Sequence, residues 1–181
     1  MRFFGLASPV AMAAMLVATI NAHAADAPRP KPQIGDPVPA MPLPALDGHA
    51  VTTRETLRGA ITVVEFFATW CEPCHRSLAD LTALRAELGP KLKLVLVAND
   101  QDRAKVSAYF AAHPLPDGAT VTLDPTGDAG RAWGQDRLPT IFFLDRAAVI
   151  RHINRGHGPG FRARAAKWLR GMLESEAPTG G

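Results

Sequence analysis

Trp70-Cys71-Glu72-Pro73-Cys74, reached through Ile61-Thr62-Val63-Val64-Glu65-Phe66-Phe67, decides how the chain folds. The two cysteines are the only ones in 181 residues, and they stand at Cys-x-x-Cys spacing. The apolar run ahead of them reads as a buried strand. A helical pattern begins at Pro73. The pair therefore sits between a strand end and a helix start. A helix N-terminus carries partial positive charge, which favours a thiolate over a thiol. Pro73 suits the first helical position, where a backbone N–H would have no partner anyway. The short spacing lets the sulfurs close a small ring and alternate between dithiol and disulfide.

Working outward, residues 1–24 read as a signal peptide. Arg2 is its positive end, Phe3 to Ile20 its apolar run of 18 residues, and Ala22-His23-Ala24 its cleavage site. An uncleaved membrane anchor is the alternative, since 18 apolar residues approach a spanning length. No cysteine lies nearby for lipid attachment, and a single arginine argues against a mitochondrial leader. Cleavage would leave 157 residues, enough for one domain with its own core. The net charge of +3 is too mild to imply nucleic acid. A lone disulfide in an exported chain could be structural. A four-residue ring staples poorly, however, because disulfide stabilisation grows with loop length. Chemistry is the better reading.

Seven prolines between Pro28 and Pro44 make residues 25–44 an extended tether ahead of a domain over 45–175. Val51 opens a short edge strand, and Thr52-Thr53-Arg54-Glu55 has the form of a capping box for a helical turn to Leu57. Leu78, Leu81, Leu84 and Leu88 form one stripe of a helix from Pro73 to Leu88, which Gly89-Pro90 stops. Leu92 to Ala98 is a second central strand. A helix over 102–112 follows, capped by Asp100 or Asp102. A short strand over 120–123 and a short helix over 128–133 come next. Residues 140–145 and 148–153 read as a hairpin, and 161–173 as an amphipathic helix with Phe161, Ala165, Trp168, Leu169 and Met172 on one face. Residues 176–181 read as a flexible tail. This order gives an α/β fold, a central mixed sheet with helices on both faces.

That order, with Trp-Cys-x-x-Cys, resembles the thioredoxin fold, and in detail the TlpA/ResA-like branch of exported thiol–disulfide oxidoreductases. The likeness spans almost the whole chain after residue 24. Ile34-Gly35-Asp36-Pro37-Val38-Pro39 and Leu43-Pro44-Ala45-Leu46-Asp47-Gly48 resemble that branch's N-terminal extension. Glu65 to Cys74 resembles its active-site segment, and Leu138-Pro139-Thr140 the loop that carries a cis-proline. Two departures stand out. Asp145-Arg146-Ala147-Ala148 replaces the common Asp-x-x-Gly of the last hairpin, and Thr140 stands where the cytochrome-maturation members often carry an acid.

The resemblance implies a monomeric periplasmic enzyme without cofactor or metal. Its partners would be disulfide-containing exported proteins and a membrane electron donor. Cys71 would be the attacking thiolate and Cys74 the resolving one. Glu65, a carboxylate in an apolar strand, is costly unless it works; it resembles the buried acid that moves the resolving cysteine's proton. Glu72 should oppose a thiolate on Cys71 and so favour a reductant. Trp70 would cover one side of the site, and Pro139 would present backbone to a substrate strand. Trp133 and Trp168 read as core, and His75 as an exposed helical residue. Two rivals compete. Cys71 to His75 also matches C-x-x-C-H, the c-type haem attachment pattern, and a copper-binding chaperone could use both thiolates and His75. Neither cysteine has a peroxidase's Pro-x-x-x-Thr-x-x ahead of it. Seven basic residues from Arg146 to Arg170, with no acid until Glu174, read as a solvated face, or else as a docking site for an anionic partner.

Overall fold

Ile61–Phe67 (β3) is buried along its whole length, as seven nearly continuous apolar residues require. It is the middle of a five-stranded sheet in the order β5-β4-β3-β6-β7. Its parallel neighbour is β4, Leu92–Ala98, which pairs in turn with β5, Ala119–Leu123. On the other side β6, Thr140–Leu144, and β7, Ile150–Arg155, run antiparallel. Four helices complete the described residues: α1 Glu72–Leu88, α2 Arg103–Ala112, α3 Asp128–Ala132 and α4 Phe161–Ser175. A two-stranded ribbon pairs β1, Leu43–Pro44, with β2, Val51–Thr52. This computed structural model describes residues 31–39, 42–48 and 51–175. The expected signal peptide, the first residues of the expected tether and the tail over 176–181 lie outside the described residues. Among the described residues, no helix is long and apolar enough to cross a membrane.

The period-2 geometry of the strands divides the core between two faces. Ile61, Val63, Phe67, Leu94, Leu96, Ile141 and Phe143 pack with Leu78, Leu81 and Leu84 of α1 and with Phe161, Ala165 and Leu169 of α4. The alternate residues Val64, Phe66, Val95, Val97, Phe142 and Leu144 pack with Ala129 of α3, Trp133, Val38 and Leu43. Phe66, Phe142 and Trp133 meet edge to face, with centroids 5.1–6.0 Å apart.

The structure refines several expectations. The proline-rich stretch is not a free tether from Gln33 on: residues 33–36 close a turn, with the Asp36 N–H donating to the Gln33 carbonyl at 3.1 Å. Gly35 donates to the Ile150 carbonyl at 2.8 Å, Ile150 to Asp36 at 2.9 Å, and Val38 to Ala148 at 3.1 Å. Val38 and Leu43 lie in the core, so docked structure begins ahead of residue 45. The capping box forms one residue on from the expected one: the Thr53 and Thr56 hydroxyls each accept from the other's backbone N–H, and the Leu57 N–H donates to the Thr53 carbonyl at 3.2 Å, closing a single helical turn. Asp102, not Asp100, caps α2, accepting from the Ala104 N–H at 2.8 Å. The departure from Asp-x-x-Gly is accommodated by strain: Ala148 takes φ 59° while fully buried. The basic stretch is largely paired, Arg151 with Asp145, Arg155 with Asp136, and Arg162 and Arg170 with Glu87. Those pairs fit the solvated-face reading.

Candidate active site

β3 delivers the chain to its C-terminal end, a short loop turns it, and α1 begins one residue earlier than expected. Cys71 is the N-cap residue, Glu72 opens the helix, and Pro73 follows within its first turn. Cys71 and Cys74 are joined by a disulfide, with Cα atoms 5.2 Å apart. The Cys71 carbonyl accepts from the N–H of Cys74 at 2.9 Å and of His75 at 3.2 Å, the first bonds of the helix. Cys71 is the outer sulfur at 5 % exposure, while Cys74 is wholly enclosed. Trp70, by contrast, is 73 % exposed. An open groove of about 880 Å³ runs beside the disulfide, lined among others by Trp70, Cys71, Gln101, Thr126, Arg137 and Leu138. The Leu138–Pro139 peptide is cis, as the resemblance implies. The Pro139 carbonyl is engaged by the Gly156 N–H at 2.7 Å.

Glu65 sits between Leu96 and Ile141 in the middle of the sheet and is fully buried. The Ser77 hydroxyl lies 2.5 Å from Oε1 and 3.0 Å from the Cys74 carbonyl, so the acid and the inner cysteine share one hydroxyl. Oε2 has no partner. Burial pushes the Glu65 carboxyl up to about 8, against a smaller opposing pull from Ser77. Glu65 is thus largely protonated at neutral pH.

Glu72 points to solvent, as expected, but it is not unpartnered. Arg76 Nη1 lies 2.9 Å from one carboxylate oxygen and His75 Nδ1 3.3 Å from the other. Its charge opposes an anionic sulfur less than the bare sequence suggests. His75 is not exposed as expected but half-buried, with Nε2 2.9 Å from the Thr69 carbonyl. Thr69 is held from the far side by Asp100, which accepts from its N–H at 2.9 Å and its hydroxyl at 2.5 Å. Sequence reasoning missed Ser77, Thr69 and Asp100. Ser77 could have been found, since a serine one position before Leu78 falls on the buried side of α1. Thr69 and Asp100 are brought together across 31 residues by the pairing of β3 with β4, a contact no local pattern encodes.

Residues 33–167 match the Redoxin family. The thiol:disulfide interchange protein DsbE of Allochromatium vinosum is 33 % identical over 125 residues, 68 % of this chain and 67 % of that protein. The thiol-disulfide oxidoreductase ResA of Bacillus anthracis is 26 % identical over 127 residues, 68 % of this chain and 70 % of that protein. A solved structure from Chlorobium tepidum, of a candidate DsbE, superposes with a TM-score of 0.71 at 25 % identity. It covers 79 % of this chain and 99 % of its own.

Proposed function

The chain belongs to the Redoxin family and is a thiol–disulfide oxidoreductase of the DsbE/ResA type, and on that premise we propose that it reduces disulfides in exported proteins. The observation that carries the reading is the disulfide at the start of α1, with its outer sulfur on an open groove beside a cis-proline. In the dithiol form, the Cys71 thiolate attacks one sulfur of a substrate disulfide. The substrate S–S bond breaks, one substrate thiolate leaves, and a mixed disulfide forms. Cys74 then attacks Cys71 and the second substrate thiolate leaves. Two electrons have passed to the substrate, and the Cys71–Cys74 bond is restored. The ionised fraction of Glu65, held near Cys74 through Ser77, accepts the proton that Cys74 must lose. Its position near pH 8 makes that fraction a stronger base than an ordinary carboxylate. Trp70 and Pro139 flank the approach.

Direction follows from what the site does to a thiolate. Burial of both sulfurs disfavours an anion there, and so does the Glu72 carboxylate, partly offset by Arg76 and His75. A poorly stabilised dithiol is a good electron donor. The apolar run over 3–20 supports a periplasmic location, where a membrane dithiol donor would return the protein to the reduced form. It acts as a monomer. The rival haem reading is disfavoured by His75, whose two ring nitrogens already face acceptors within the chain.

The test is a trap. Cys74→Ser should accumulate mixed disulfides with exported proteins, and Cys71→Ser should form none. Equilibration against glutathione should place the couple near about −270 mV. A value near about −120 mV makes the protein an oxidant and overturns the direction. A haem absorption band in the same sample overturns the function.

A further inference from the structure

Dithiol exchange, as just described, uses His75 only as a partner of Glu72. The side chain is nevertheless held on three sides. Its Nε2 meets the Thr69 carbonyl at 2.9 Å and its Nδ1 faces Glu72 at 3.3 Å. Its ring stacks on Tyr109 of α2, with centroids 5.2 Å apart and planes 26° apart. Tyr109 stacks in turn on His113, which fixes it further through Nδ1 and the Tyr109 carbonyl at 2.9 Å. Two turns of α2 thus back the His75 ring.

A carbonyl only accepts, so Nε2 carries a hydrogen and donates to Thr69. A carboxylate also only accepts, so the Glu72 contact is complete when Nδ1 is protonated as well. Thr69 is then gripped at all three polar groups, its N–H and hydroxyl by Asp100 and its carbonyl by His75. Only Trp70 separates this grip from Cys71. We propose that His75 is a positioning residue for disulfide exchange: through the Thr69 carbonyl it fixes the backbone that presents Cys71, and through Glu72 it draws a carboxylate off the attacking sulfur. The inference rests on the exchange reading above and assigns a part to a residue which that reading does not need.

The two tasks are separable by substitution, because a side-chain amide can donate to the Thr69 carbonyl but brings no charge to Glu72. The charged and titratable groups facing this cluster are Glu72 and Arg76 on α1, Tyr109 and His113 on α2, and Asp100 beyond Thr69.

Three variants of the full chain, reduced and then mixed with a chromogenic aromatic disulfide, test this. His75→Phe keeps an aromatic ring against Tyr109 but removes both ring nitrogens. It should slow the attack about five-fold, the worth of one hydrogen bond. His75→Gln keeps a donor for Thr69 and lacks the second charge. It should recover most of the rate that His75→Phe loses. Cys71→Ser should not react. If both His75 variants match wild type while Cys71→Ser is dead, the role of His75 is wrong and the exchange reading stands. Should Cys71→Ser still react, the exchange reading falls and takes the inference with it. Should His75→Phe fold poorly, His75→Leu takes its place, and a rate equal to that of His75→Gln would overturn the role.

Discussion

Glu65 binds its last proton near pH 8 because no water reaches it and only the Ser77 hydroxyl serves it. An unfolded chain would release that proton near the ordinary carboxyl value of 4.5. Below that pH both states are protonated and the site is neutral in each. As pH rises from 4.5 towards about 8, the folded protein holds a proton that the unfolded chain has lost, so stability falls. The slope from this one group is about 1.4 kcal/mol per pH unit, and it ends above the folded value. Glu65→Gln removes the titration. The variant should therefore gain stability relative to wild type steadily across that window, which urea unfolding of the oxidised proteins at a series of pH values checks. A constant difference between the two would mean that Glu65 titrates normally. The same variant lacks a proton acceptor for Cys74. It should slow resolution of the mixed disulfide about 100-fold, the low end for general-base catalysis, and leave the first attack by Cys71 nearly untouched.

At the scale of elements, the helix that shapes the groove is held from outside itself. α3 begins at Gly127, which has no side chain to cap it. Asp124, nearly buried, accepts from the N–H of Gly130 at 2.8 Å and of Ala129 at 3.2 Å. Asp124→Ala strands both donors, at about 1–3 kcal/mol each in a buried setting. A loss of about 3 kcal/mol in thermal or urea unfolding is expected, with Asp124→Asn losing less because one acceptor oxygen remains. Exchange should slow as well, since Thr126 and Gly127 line the groove. What the sequence made legible is bounded in the same way. β3, β4, β6 and α1 carry apolar patterns of one period, and hydrophobic burial fixes them wherever they pack. Residues 33–38 carry no such period. Pro37 announces a chain outside any helix, but the partner is backbone at Ala148 and Ile150, and backbone has no sequence signature. The site divides likewise. Cys71 and Cys74 were readable from their spacing, Glu65 from its place in an apolar run and Pro139 from the resemblance, whereas Asp100, Thr69 and Ser77 act through hydrogen bonds that exist only once the sheet is assembled.

For the molecule as a whole, redox potential and stability are two faces of one cycle. Folding changes the potential of Cys71–Cys74 by as much as the disulfide changes the free energy of folding. In the unfolded chain a four-residue ring restricts little, so the disulfide stabilises the fold by about 2 kcal/mol on the chain-entropy account. A strong oxidant departs from this with the opposite sign, because its folded structure stabilises the dithiol. Here the folded structure offers an anionic sulfur little: both cysteines are buried, Glu72 stands beside Cys71, and the one strong counter-effect is the start of α1. The oxidised protein should therefore melt above the reduced one, by about 4–8 °C for about 2 kcal/mol in a domain of this size. Thermal unfolding with and without excess dithiothreitol, at pH 7, measures the difference. A reduced form that melts higher would mean that the helix start outweighs burial and Glu72, and the protein would be a donor of disulfides. In that event Arg76 is the first residue to examine, because it is the cation paired with Glu72. Replacing it should lower the melting temperature of the reduced form more than that of the oxidised one.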